Sequence, residues 1–378
     1  MIVRSQRTIL GRRGCVALLI FVGLAGSTVR AAERELPIDA RAEARLLEIA
    51  GSGFELNRTD HFVIAYNTDA DTLHDFITRV EATYRGALRL LKADEIDTHE
   101  PRHRLEIVFF ETPEQFRQFA ERLHLDVTGA AGFYHPASNR AFFYNARNAP
   151  RVAAATAQIE NLRRHAEQQS SGGSRAQTYK QVRRLEIQRD RLIETINLFV
   201  VQHEVAHQVF FNTGLHVRGA DTPPWVAEGL AMLMETPPSN RGAGFGAVNQ
   251  YRLLSLRNAL AGAGRWKDAT AEQFPAACAN GSLVPLRQLI GDKSLFKTSG
   301  PHVEQRYAQA WSFLFYLQKY RREDLGVYLT VLARRPSDRG YTPQQEVMLF
   351  EKTFGPIDDQ FRDRWLNCVL KLRVHPPR

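Results

Sequence analysis

Sulfur is scarce in this chain, which has 3 cysteines and 4 methionines among 378 residues. Cys15 falls in an N-terminal leader, which leaves Cys278 and Cys368. Neither stands in a metal-ligand spacing, so thiolate metal sites are excluded. A disulfide between the two would be a structural staple if the chain is exported, and the sequence leaves that pairing open. Nucleophile signatures are missing too: there is no Gly-x-Ser-x-Gly elbow and no cysteine set beside a histidine, so serine- and cysteine-nucleophile hydrolysis is not the expected chemistry. Long apolar runs are absent. The longest, Cys15–Leu24, is short of the about 20 residues a membrane span needs. An excess of charge is also missing. The net charge is +9, but Arg4, Arg7, Arg12, Arg13 and Arg30 of the leader supply five of those charges, leaving about +4 on the rest. That is an ordinary solvated surface and makes no case for nucleic acid.

The leader itself is legible. Its arginines form a basic n-region, Cys15–Leu24 an apolar core, and Val29-Arg30-Ala31 small residues at a cleavage position. Residues 1–31 therefore predict an exported chain, periplasmic or secreted, with an uncleaved membrane anchor as the alternative. The rest is long enough for a sizeable core in one large or two closely packed domains.

The chemistry concentrates between Val201 and Met234. His203-Glu204-Val205-Ala206-His207 sits in an apolar helical run, and histidines four apart share a helix face, so both can reach one metal ion. Glu204 follows the first histidine, where it can serve as general base and acid. A catalytic zinc asks for a third protein ligand. Glu228, twenty-one residues after His207 in the helical run Trp225–Glu235, is the candidate. His216 is the competitor, but it lies in a loop and would demand an abrupt return of the chain. Without a metal, this cluster would be a solvated helix surface. Buried in an apolar run, its polar groups need partners, and a metal supplies one. Two imidazoles and a carboxylate suit zinc. Carboxylate partners for the histidine N–H groups are expected, though the sequence does not identify them. Further on, Tyr307 stands near the start of a strong helix. Its hydroxyl could donate to a developing oxyanion, or it could simply pack beside the site.

Three elements carry a resemblance: HEVAHQ at 203–208, WVAEGLA at 225–231, and Tyr307-Ala308-Gln309-Ala310-Trp311. They resemble the glutamate-ligand, thermolysin-like zincins. More closely they resemble the peptidase-MA-like bacterial family catalogued as domain of unknown function 1570 (DUF1570), over roughly residues 60 to 370. The resemblance implies a peptidase-like α+β fold and a zinc site. Such a fold has a small mixed α/β subdomain with an edge strand, an active-site helix and a mostly helical C-terminal subdomain. It also implies that an edge strand pairs with an extended peptide substrate, and Arg140–Tyr144 is the candidate.

The pattern along the chain fits that plan. After a polar lead-in (32–56), strands are expected at Phe62–Tyr66, Leu105–Phe110, Gly132–His135 and Arg140–Tyr144. Helices are expected over Leu73–Leu91 and Pro113–Leu123, the latter with a capping box from Thr112 to Gln115. Together these make an α/β part over 57–149. Residues 150–190 read as two charged helices about a Ser/Gly tip, the second running on toward His203. The metal-ligand helices occupy 191–236 and a helical region 237–378. The sequence thus favours an exported zinc metallopeptidase acting on peptide or protein. Two alternatives stay open: a binding or scaffold protein with a weak metal site, and a zinc amidase acting on cell-wall material.

Overall fold

Among the described residues every strand lies before residue 145 and nearly all that follows is helix, as the change from short apolar runs to a 3.6-residue period demands. The computed structural model of the chain describes residues 35–93, 96, 98–127, 129–237, 244–296 and 300–375. The expected leader lies outside them. Glu35–Arg378 clusters as one compact unit, and among the described residues no helix is long and apolar enough to cross a membrane.

Helix α1 (Ala40–Ala50) is capped by Asp39, whose carboxylate accepts from the first N–H groups of the helix. Strands β1 (Glu55–Arg58) and β2 (Phe62–Tyr66), helix α2 (Ala70–Ala93), strand β3 (Leu105–Phe110), helix α3 (Pro113–Arg122), and strands β4 (Gly132–His135) and β5 (Arg140–Tyr144) follow. Thr112 and Gln115 form the expected capping box at the start of α3. The sheet order is β1-β2-β3-β5-β4. Strands β2, β3 and β5 run parallel, and β1 and β4 are antiparallel to their neighbours.

This order corrects one expectation. Arg140–Tyr144 is no edge strand, because β3 pairs with one side of it and β4 with the other. On that side the sheet ends at β4. The physical reason is visible in the residues: four of the five positions of β5 are buried, whereas β4 alternates buried and half-buried. A strand covered on both faces reads as an apolar run, and an edge strand reads as an alternation.

One face of the sheet presents Ile64, Ile107 and Phe143 to α2 and the later helices; the other presents Val63, Val108 and Phe142 to α1 and α3. Helices α4 (Pro150–Gln168) and α5 (Gly172–Ile196) form the expected charged hairpin. Its second arm runs through a π-helical stretch, Asn197–Gln202, into α6 (His203–Asn212) and then, after a loop, α7 (Pro224–Leu233). The remainder is α8 (Gln250–Ala261), α9 (Phe274–Ala279), α10 (Leu286–Gly291), α11 (Val303–Tyr320), α12 (Arg322–Ala333), α13 (Pro343–Phe354) and α14 (Asp359–Leu370). Trp225, Trp311 and Trp365 are fully buried in this helical part. The indole of Trp225 lies 5.3 Å from the Phe313 ring, and that of Trp365 5.5 Å from it. Cys278 and Cys368 are free thiols, so no disulfide joins them.

The loop that launches α7 is anchored by a buried ionic cluster. The Arg335 guanidinium donates to both Glu346 oxygens, at 2.8 and 2.6 Å, and to the Asp221 carbonyl at 2.7 Å. Lys293 pairs with the Asp221 carboxylate, which also accepts the Tyr341 N–H at 2.6 Å.

Candidate metal centre

Helix α6 is nearly all buried while α5 is largely exposed. The π stretch between them makes the change. A π turn carries more residues per turn than an α turn, so it rotates the face that follows, and such turns recur at functional sites. On α6, His203 and His207 then lie one above the other, their rings 4.8 Å apart. Glu228 of α7 faces them. The two Nε2 atoms are 3.1 Å apart, Glu228 Oε2 is 3.1 Å from His203 Nε2, and Glu228 Oε1 is 3.6 Å from His207 Nε2. These three side chains form a group that could hold a metal ion, with one ligand atom from each within 4.8 Å of the others. Ligands at about 2.0–2.1 Å around a tetrahedral zinc would sit about 3.3 Å from one another. The observed spacings bracket that value, so the donor set fits zinc in both chemistry and size. His216 is not part of the group. Its ring is buried against Phe211, at 5.1 Å, and its Nε2 has no partner.

The carboxylate behind the histidines is Glu235, which sequence reasoning did not single out. Its Oε1 accepts from His203 Nδ1 at 2.9 Å. Arg252 donates to both of its oxygens, at 2.9 and 2.8 Å, and Asn249 adds a third donor at 2.9 Å. Burial would raise the Glu235 pKa, but the Arg252 charge together with the hydrogen bonds of His203 and Arg252 outweighs it and holds the carboxyl lowered and ionised. The backbone is fixed as well. Gln202, fully buried, donates through Nε2 to the carbonyls of Met234 and Thr236, at 2.6 and 3.0 Å, and accepts from Arg79 at 2.7 Å. The residue before the first histidine thus grips the chain on both sides of that histidine's carboxylate partner. The signal in the sequence was a glutamate just past the end of α7, with a glutamine immediately before HExxH. Only the fold joins the two.

Replacing Glu235 with Ala should therefore weaken zinc binding by about 10–100-fold, the usual penalty for losing such an outer carboxylate. Competition with a chromophoric chelator measures it, and an unchanged zinc Kd would remove Glu235 from this role. A second expectation concerns protons. Burial would lower the His203 pKa, but its hydrogen bonds to Glu228 and Glu235 and their charges push it up to about 10. Burial would likewise raise Glu228, yet the charge of His207 and the hydrogen bonds of both histidines hold it well below the usual carboxylate range. At neutral pH the metal-free His203 carries a proton that a metal must displace. Calorimetry in buffers of different ionisation enthalpy should record at least one proton released per zinc at pH 7. For the metal-free fold, this raised pKa stabilises fully below the unfolded histidine value of 6.5, and the contribution is lost as pH rises through about 10.

Glu204 points to the sheet. Its Oε2 accepts the Tyr134 N–H at 2.8 Å. This N–H is on the outward edge of β4, so the β4 edge of the sheet runs beside the HExxH glutamate. The Tyr307 ring lies 5.5 Å from the Arg252 guanidinium and 5.1 Å from the Phe296 ring. Burial raises its pKa first, and the charges of Glu228 and Glu204 raise it further, so the hydroxyl keeps its proton as a donor beside the site.

The other motif residues position these groups. A Cβ on Gly229 would come within 3.0 Å of the Leu314 Cβ, so glycine there lets α7 lie close against α11. Gln309 binds both backbone groups of Val284, donating at 2.6 Å and accepting at 3.0 Å. In the family comparison, the model described as "Protein of unknown function (DUF1570)" matches residues 197–338. The match opens at the π stretch and closes just past Arg335. No curated protein and no solved structure matches the chain.

Proposed function

The chain belongs to the DUF1570 family, a membership that fixes no activity, and from the geometry of its site we propose that it is an exported zinc metallopeptidase of the thermolysin-like, glutamate-ligand kind. One observation carries the reading: His203 and His207 of α6, the helix that also carries Glu204, converge with Glu228 of α7 at near-tetrahedral spacing. Three protein ligands are what a catalytic zinc site supplies.

Zinc held there would polarise the scissile carbonyl and acidify the attacking water. Glu204 takes the water proton and delivers it to the leaving amine. The Tyr134 N–H occupies one Glu204 oxygen and fixes its carboxylate plane, which leaves the other oxygen for the proton. Tyr307 donates to the oxyanion. An extended substrate pairs with the outer-edge groups of β4 that Glu204 leaves open on either side of the Tyr134 N–H, in place of β5. Export rests on the basic and apolar pattern of residues 1–31.

The test is metal content by mass spectrometry, with hydrolysis of casein and of murein fragments measured on the zinc-loaded chain. One zinc per chain and casein cleavage support the reading. Zinc with cleavage of murein alone moves the chain to the amidases, and no zinc uptake at all sinks the enzyme. Within the peptidase reading, Tyr307→Phe should lower kcat by about 10²-fold with little change in KM, the pattern of a donor used only in the transition state. A loss confined to KM would make Tyr307 a substrate-binding residue instead.

A further inference from the structure

Where β2, β3 and β5 begin, a cleft of about 520 Å³ opens between α1, the 99–104 segment and the end of α6. It is joined to the metal centre by a polar bridge. Asn139, in the turn after β4, and Asn212, at the end of α6, exchange two hydrogen bonds at 2.9 and 2.7 Å, and the Tyr134 hydroxyl donates to Asn139 at 2.9 Å. Tyr134 is the residue whose N–H holds Glu204. The outer edge of β4 therefore leads from the HExxH glutamate to this cleft.

The charges of the cleft are unequally matched. Each wall carboxylate is engaged: Glu43 by Arg58 at 2.8 Å, Glu106 by Arg140 at 2.6 Å, and Asp39 by the first N–H groups of α1. The guanidiniums are less well served. Arg102 is exposed at the rim, with no carboxylate partner among the described residues. Arg218 binds a neutral oxygen, Asn212 Oδ1 at 3.3 Å, and its charge lies near the Tyr134 hydroxyl. Arg104, its side chain only 4% exposed, pairs with Glu35 through one nitrogen, while its buried Nε has no partner at all. A buried guanidinium N–H without an acceptor is costly, and a carboxylate is the acceptor whose shape it matches.

We propose that this cleft is a subsite for a carboxylate of the peptide substrate. Asn212 lies eight residues beyond Glu204 on α6, about 12 Å away along the helix. An extended chain covers that in roughly four residues. The enzyme then selects peptides bearing a carboxylate roughly four positions from the scissile bond. This rests on the peptidase reading for the identity of its ligand, but the binding can be tested without catalysis.

The probes are three fluorescein-labelled decapeptides: a Glu-rich one with an amidated C-terminus, its Gln counterpart with a free C-terminal carboxylate, and the Gln counterpart amidated. Anisotropy with the metal-free chain should show the first or second binding at least tenfold tighter than the third. A preference for the first identifies a side-chain carboxylate, and for the second a chain terminus. The Arg102→Ala/Arg218→Ala double variant should erase the preference, whereas Arg175→Ala/Arg183→Ala on the α4–α5 hairpin should keep it, both melting with the parent. Equal binding of all three probes, or equal loss in the hairpin variant, overturns the subsite. A chain that takes up no zinc yet shows the preference would sink the peptidase and leave the carboxylate site standing.

Discussion

Glu204→Gln should lower peptide hydrolysis by about 10²–10⁴-fold and leave the zinc content at that of the parent. The substitution keeps the shape of the side chain and an oxygen for the Tyr134 N–H, which Glu204 accepts at 2.8 Å. It removes the basic oxygen to which the proposed mechanism gives the transfer of a proton from water to amine. Because Glu204 is outside the ligand group of His203, His207 and Glu228, the metal stays. The kcat/KM of parent and variant, with metal counted on the same samples, reads both quantities. A variant that hydrolyses at the parental rate would remove Glu204 from the chemistry. A variant that loses its zinc would make Glu204 a support of the metal site.

Glu346→Ala should destabilise the fold by about 3–5 kcal/mol, the range for stranding one member of a buried ion pair. Both side chains are out of water, Arg335 2% exposed and Glu346 0%. Removing the carboxylate leaves the guanidinium buried without its bidentate partner, against the Asp221 carbonyl at 2.7 Å and the Tyr341 ring at 4.0 Å. Urea unfolding followed by circular dichroism gives the number. A loss under about 1 kcal/mol would mean that water reaches the pair, as at exposed bridges. Because Arg335 and Lys293 both hold Asp221 at the entry to α7, the damage should reach the helix that carries Glu228. Zinc affinity should fall along with stability.

The sequence alone made much of this site readable, for a physical reason. His203, His207, Glu204 and Glu228 are tied together by helix geometry: two ligands on one turn and a third on the next helix, each helix bounded by its own stop and start residues. Local rules suffice there. The strands Gly132–His135 and Arg140–Tyr144 were legible at the residue level. Lateral order was not. Which of β4 and β5 lies outermost depends on what covers β5, and the run Arg140–Tyr144 held that information only as a lack of alternation. Glu235, Arg252 and Asn249 escaped because their meeting crosses the irregular segment after α7, where no period links one residue to another. The π stretch escaped because Asn197–Gln202 has the composition of any apolar helix. Gln309 looked like part of a helix face, and its use on the backbone of Val284 is set by a segment about 25 residues away.

The hydrogen bond from Tyr134 to Glu204 also bears on how the protein keeps its own company. An open sheet edge is a template on which another copy can add a strand, and proteins guard such edges with charge or cover. Here the chain's own carboxylate takes one of the outward N–H groups of β4 and sets a negative charge in the row. A second molecule approaching edge to edge finds the ladder interrupted and the gap charged. The carboxylate assigned to the proton transfer is thus also a guard against aggregation, and a chain stripped of it should be the more prone to self-association on storage.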